Sequence, residues 1–333
     1  MTGWRALGLF WLAVLVLLGA SAAALQAMGP PVRAVQAASR AAPPVTADTP
    51  AATPVSLPPP PKPGGGPLLG DRIPEPDPAL LEPAPDFPGA QLPRIGPDGR
   101  KPMQVYAPHL PPTDTRPKVA FLLVGMGLSD GESRAAAETL PPGITLGISP
   151  YTPEPAALLD DVRAHGHEFL VTLPMESQGY PLNDSGPRAL LTGADPAENA
   201  RNLEWVLSRI RGAAGVTGAS DGLRGERFAN MKTTFGPVLA ELAKRGLLYV
   251  DPRPDQAVAG AAVDVTTIVD DPVEGRAIDA KLAELEQRAR DGQPAIGLAG
   301  PLRPVTVDRI AAWARGLDAR GIALAPVSAF LPK

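Results

Sequence analysis

Eight short apolar runs recur from Lys118 to the end of the chain, and this alternation constrains the fold more than any other feature. The runs are Val119 to Val124, Ile144 to Ser149, Glu168 to Leu173, Gly215 to Thr217, Leu247 to Val250, Val265 to Val269, Ala295 to Leu298 and Ile322 to Ala325. Several are apolar without interruption, as expected of strands covered on both faces. Helix signals fill the gaps. Ser129 and Glu132 have capping-box spacing, and Asp195, Pro196 and Glu198 open a stripe of Leu203, Val206, Leu207 and Ile210. Ile278, Leu282, Leu285 and Ala289 make another stripe, and Val307, Ile310, Ala314 and Leu317 a further one. Strand and helix alternating in this way predict an α/β fold with a parallel sheet, open or closed into a barrel. In either geometry the working site lies at the carboxyl ends of the strands.

The chain ahead of Lys118 reads differently. Arg5 precedes a stretch from Ala6 to Leu25 without a charge, long enough to span a bilayer. Residues 1–28 are therefore expected to form a signal anchor in the inner membrane. The small residues from Ala20 to Ala24 would equally suit cleavage of a signal peptide. Both readings export the rest, to a periplasmic or other extracytoplasmic location. Residues 29–117 hold most of the 43 prolines and few large apolar residues, a composition that predicts a disordered, semi-rigid spacer. The folded domain is then 118–333. A net charge of −4 leaves no electrostatic footprint for nucleic acid, and the absence of cysteine excludes thiolate metal sites, disulfides and cysteine nucleophiles.

The stretch "VAFLLVGMGLSDGE" (119–132) tests one function class directly. Gly125 and Gly127 match half of a dinucleotide loop, but Asp130 would put negative charge where a pyrophosphate should bind. Two glycines turning the chain into a helix is the simpler reading.

That stretch, "HGHEFLVTLPM" (165–175), "GVT", "RGLLYVDPRP", "AIGLAGPLRPVTVDRIAAW" and "GIALAPVSAFL" together resemble the divergent polysaccharide deacetylase family, in order and over nearly all of 118–331. The resemblance implies a distorted (β/α) barrel of the polysaccharide deacetylase type. In the family's metal-dependent relatives an Asp pair ends the first strand and histidines follow the Gly-His-Glu strand, holding a divalent metal that activates water against an N-acetyl group. Here Val124 and Gly125 stand at the place of the Asp pair, and Thr172 and Glu176 follow Gly-His-Glu. The segment "GASDGLRGERF" carries Asp221 without a histidine, and the late strand reads "GLAGPLRP". Asp251 alone survives as a carboxylate at a strand end that matches the family's pattern.

These residues lead to an envelope protein whose barrel is a degenerate deacetylase, acting in carbohydrate binding or metabolism with a cell-wall glycan or a cell-wall protein as partner. The alternatives are a hydrolase with a rebuilt carboxylate site, in which Asp251 and Glu176 are the catalytic candidates, and a non-catalytic scaffold for wall proteins. Thr172, Tyr180, Asn183, Asp184, Asp221 and Arg224 are the candidate substrate-binding residues. No metal ligands and no cofactor are expected; a divalent cation would enter only if the carboxylates, with Asp270 and Asp271 as further contributors, converged. His165 and His167 sit at the start of a strand, on the stability face of a barrel, where capping or packing is their expected role.

Overall fold

The computed structural model describes residues 66–254, 256 and 262–332, together with Trp11 and Val14. The chain divides into two units, Met1–Pro58 and Pro59–Lys333, and the fold below belongs to the second. Nearly all of the expected anchor lies outside the described residues. Among those described, no helix is long and apolar enough to cross a membrane.

The expected spacer is ordered from residue 66 onward. Two short antiparallel strands, β1 (Leu81–Pro83) and β2 (Gln91–Pro93), and a helical turn at Pro102–Val105 form an arm. Ile73, Leu80, Leu92 and Tyr106 are its anchors, each 2 % exposed or less. The Tyr106 hydroxyl accepts from Asp77 N at 2.8 Å, Ile73 N donates to Arg163 O, and Arg245 donates to both Glu82 and the Pro93 carbonyl. Composition averaged over the segment hides these few well-spaced anchors, whose partners lie far along the chain. The prolines also reduce the entropy lost on ordering, which favours the folded arm.

The sheet is parallel throughout. Strands β3 (Lys118–Met126), β4 (Ile144–Ile148), β5 (Phe169–Thr172), β6 (Gly215–Thr217) and β7 (Leu248–Asp251) pair in sequence order. Beyond them β8 (Ala262–Asp264) pairs with β7, whereas β9 (Thr267–Ile268) pairs with β10 (Ile296–Ala299), which returns to β3. Of these two pieces only β9 falls within the run expected at 265–269; β8 lies just ahead of it, on the opposite edge of the sheet. Val265 N donates to Asp251 O and Thr266 N to Ile296 O, so one continuous segment bridges both edges and curls the sheet into a barrel. β11 (Ala323–Ala325) adds to the start of β3.

Alternation along the strands sorts side chains between lumen and helix layer. Phe121 meets Trp313 of the helix Pro304–Arg315 edge-on at 5.9 Å, and Tyr249 meets Phe235 of the helix Lys232–Lys244 at 5.3 Å; both face outward. Gly297 pairs with Phe121, and a Cβ there would lie 2.7 Å from both the Phe121 ring and Leu285 of the helix Gly275–Arg290, so only glycine lets that helix approach. Leu122, Val124, Leu170 and Thr172 share the opposite, lumenal parity. The Asp195 cap forms as expected, accepting from Ala197 N at 2.8 Å. The Ser129 cap does not: the helix starts at Asp130, but it is the Ser133 hydroxyl that accepts from Gly127 N and donates to Ser129 O.

Candidate functional site

The mouth of the barrel is the end where the strands finish. At β3, β4 and β5 its lumen is lined by Val124, Gly147 and Thr172: a Cβ on Gly147 would lie 2.6 Å from Val124 Cγ1 and 3.3 Å from Thr172 Cγ2. Thr172 is 2 % exposed and its hydroxyl has no hydrogen-bond partner. Gly300, Pro301 and Leu302 fold over Gly125 from one side. From the other comes a two-residue turn, in which Ser220 and Leu223 exchange backbone hydrogen bonds of 2.8 Å around Asp221 and Gly222, both at positive φ. Between these flaps a cavity of about 20 Å³ remains, lined by Val124, Leu223, Arg224, Ile268, Asp270 and Gly300 among others. That is room for about one water molecule, not for a sugar ring.

The two candidate catalytic carboxylates lie elsewhere and are already committed. Asp251 shares the outward parity of Tyr249 and is fully buried in the helix layer. Arg253 holds it from three sides: Nε to Oδ1 at 2.9 Å, Nη2 to Oδ2 at 2.6 Å, and its own backbone N to Oδ1 at 2.9 Å. The guanidinium continues to Asn230 Oδ1 at 2.6 Å, and the carboxylate raises its pKa. Glu176 is 3 % exposed. Its Oε2 accepts from the backbone N and the hydroxyl of Thr192, and its Oε1 pairs with Arg227 Nε at 2.9 Å. Its backbone also bonds Leu190 O and Phe228 N, so Glu176 ties two loops together.

The substrate-binding candidates separate into three groups. Thr172 faces the lumen, and Arg224 lines the small cavity while donating to Glu226 at 3.2 Å. Asp221 is the exposed corner of the turn beside it. Tyr180, Asn183 and Asp184 belong to a loop bonded mainly within itself: Tyr180 N donates to Ser177 O, Ser177 Oγ to Asn183 O, and Gly186 N to the Asp184 carboxylate. Glu226 touches both regions, accepting from Arg224 and, at 3.4 Å, from Gln178 N.

Asp270 is the acid that the mouth does contain. It follows β9 with lumenal parity, is 5 % exposed, accepts from Gly300 N at 3.0 Å and lies 3.6 Å from Arg303. Burial raises its carboxyl pKa. The sequence signal for it was only a pair, Asp270 and Asp271, after an apolar run; which of the two points inward depends on where that strand breaks. Among the described residues no three histidines or carboxylates are grouped as a metal site would need. The donors present do not fit a divalent cation: Val124 and Thr172 offer no charge, and Asp251, Glu176 and Asp270 each have an arginine beside them.

A larger cleft of about 330 Å³ lies away from the mouth, between the helices Pro196–Arg209 and Lys232–Lys244. Its floor is Leu203, Leu207 and Val238; of its two carboxylates Glu204 accepts from Asp86 N and Glu241 pairs with Arg245, and no histidine lines it.

Parallel strands curled around a packed lumen, most of them followed by a covering helix, define a (β/α) barrel of the deacetylase kind. The chain belongs to the divergent polysaccharide deacetylase family, whose sequence profile matches residues 122–331. It is also similar to an uncharacterized protein of Agrobacterium tumefaciens, with 32% identity over 73% of this chain and 100% of that one and a TM-score of 0.67. A family 4 carbohydrate esterase from Streptomyces lividans, solved in complex with acetate, is more distant: 16% identity, 63% of this chain and 97% of that one, TM-score 0.38. No curated protein matches the chain. Family membership supports a carbohydrate-related role.

Proposed function

We propose that this protein is a cell-envelope domain that recognises a wall glycan without hydrolysing it. The observation that carries the reading is the chemistry of the mouth. Val124, Gly125 and Thr172 occupy the positions where the family's metal-dependent relatives keep ligands, Glu176 and Asp251 are each paired with an arginine of the same chain, and Arg303 lies 3.6 Å from Asp270. A Lewis acid needs an unoccupied donor set and a base within reach of its water, and neither is present among the described residues of this mouth. Glycan contact would fall on the loops around it, where Arg224, Asp221, Tyr180, Asn183 and Asp184 offer polar groups. The uncharged stretch at residues 6–25 supports tethering at the inner membrane, with the barrel outside the cytoplasm.

The test is acetate release from N-acetylated glycans by the full chain, with and without magnesium, manganese or zinc, alongside co-sedimentation with purified cell-wall polymer. The expected result is sedimentation with polymer and no acetate above the uncatalysed background. Cation-dependent acetate release would overturn the reading. Failure to sediment with any polymer would leave carbohydrate recognition unsupported and favour a protein partner.

A further inference from the structure

Among the described residues of the barrel unit, the exposed large apolar side chains are Leu68, Leu128, Leu182, Met231, Val273 and Val305. All but Leu68 stand at the mouth, on loops that leave the strand ends or at the starts of helices. Three of them share one sector. Leu128 follows β3, Val305 follows β10 and Val273 follows β9, and these strands are neighbours in the sheet. They are 53 %, 39 % and 38 % exposed.

Contacts between the three loops make the sector continuous. Gly300 N donates to Asp270, and a Cβ on Gly125 would lie 2.9 Å from Leu302 N. Arg309 of the helix Pro304–Arg315 reaches Asp279 of the helix Gly275–Arg290 at 2.6 Å and lies against Gly275. Leu302, half-buried in the same loop as Val305, extends the apolar strip inward to Gly125. Single exposed aliphatic residues are ordinary on a soluble domain, whereas apolar groups gathered at one end and rimmed by charge mark an interaction surface.

The charges around this strip are unbalanced. Asp130 is paired with Arg134, Asp270 lies beside Arg303, and Asp279 holds Arg309. Glu132, Asp271, Glu274 and Asp308 are exposed and have no ion-pair partner among the described residues; against them stands Arg276, exposed and likewise unpaired. Acids in the first turn of a helix meet the positive end of its dipole, which accounts for their presence. That dipole does nothing for an exposed Leu or Val beside them.

The surplus charge selects the occupant. A second copy of this face would set like charges against each other, and so would an anionic bilayer surface. Strand ends rather than a sheet edge face this way, so an extended peptide finds no ladder to join. We propose that Leu128, Leu302, Val305 and Val273 form a docking surface for a protein helix that carries leucine-sized side chains on one face with Lys or Arg beside them. The loops assigned to glycan contact follow β5 and β6, on the other side of the mouth, so this surface stands or falls independently of glycan recognition.

A photo-crosslinking amino acid placed at Val305 of the full chain, in the cells that make it, tests the surface, with the same group at exposed Leu68 on the arm as control. The expected result is a protein adduct at Val305 and not at Leu68. Its cross-linked peptide, sequenced by mass spectrometry, should show apolar residues at helical spacing next to Lys or Arg. Asp271→Asn with Glu274→Gln should lower the adduct yield by about fivefold, as two surface ion pairs would. An adduct with a second copy, with lipid, with glycan or with an acidic peptide, or no adduct at all, would overturn the proposal. As a second measurement, a synthetic helix of leucine and lysine should bind the purified full chain, and Leu128→Ser with Val305→Ser should weaken that binding at least about tenfold. Both side chains are exposed, so their replacement leaves the core intact, and sedimentation with cell-wall polymer should match the wild type. Peptide binding unchanged in both double variants would count against the surface, and lost sedimentation in the serine variant would assign the strip to glycan instead.

Discussion

The two ends of this barrel handle buried polar groups in opposite ways. At the base a polar cluster is largely matched: Thr145 Oγ1 donates to Glu168 Oε1 and accepts from Val327 N, Ser328 N adds to Glu168, and His167 spans two carbonyls, leaving Glu168 Oε2 and Arg163 Nε without partners. At the mouth the lumen is methyl-lined, the Thr172 hydroxyl goes unpartnered, and the carboxylates are turned outward or paired with arginine. In a parallel barrel the base carries stability and the mouth carries chemistry. Here the mouth keeps one inward carboxylate, Asp270, with Arg303 3.6 Å away, whereas Glu176 and Asp251 are paired with Arg227 and Arg253.

The largest break in that contrast comes from removing residues 66–117. The arm covers the base around Arg163, Gly166 and Gly246, so 118–333 alone should show no cooperative urea transition, although it holds every barrel strand. A normal transition would show the base to be self-sufficient. Next, Arg253→Met leaves Asp251 buried and uncompensated, and should cost about 3–5 kcal/mol in urea unfolding. Asp251→Leu combined with Arg253→Met should recover most of that loss, since replacing both partners removes the stranded charge. If the double variant remains as unstable as the single, the pair has a role beyond mutual neutralisation.

A smaller effect is expected at the mouth. Thr172→Val removes an unpartnered hydroxyl with little change of shape and should stabilise by about 1 kcal/mol. Destabilisation instead, together with loss of sedimentation with cell-wall polymer, would mean that the hydroxyl is kept for a ligand. The smallest effect is expected at the base: burial raises the Glu168 carboxyl pKa, so the folded state favours its neutral form. Stability should then decline as pH climbs from the ordinary carboxylate range through the raised folded value, and Glu168→Gln should lack that part of the decline. Identical pH profiles for the two proteins would place Glu168 among ordinary ionised carboxylates.

Much of the barrel was legible in the chain because its strands are buried on both faces and its helices carry regular stripes. The stripe at Ile278, Leu282, Leu285 and Ala289 is buried in the structure as periodicity requires. The helix Pro155–Ala164 and the pair Glu226–Asn230 and Lys232–Lys244 were not, since Pro237 interrupts one and short length hides another. The arm escaped because four anchors among many prolines leave no periodic signal. At the site, the loss of the Asp pair was plain from Val124 and Gly125, whereas the commitment of Asp251 and Glu176 to Arg253 and Arg227 was not.

By itself, the sequence determined the parallel alternation and the residue types, Val124 and Gly125, that end the first strand. These follow from residue type and order, which local physics reads directly. Only the tertiary structure decided that the arm belongs to the fold, that Asp270 rather than Asp251 faces the lumen, and that His167 answers two carbonyls. Such facts depend on the parity at which each strand enters the sheet and on partners tens of residues away. Neither is encoded in any local window of the chain.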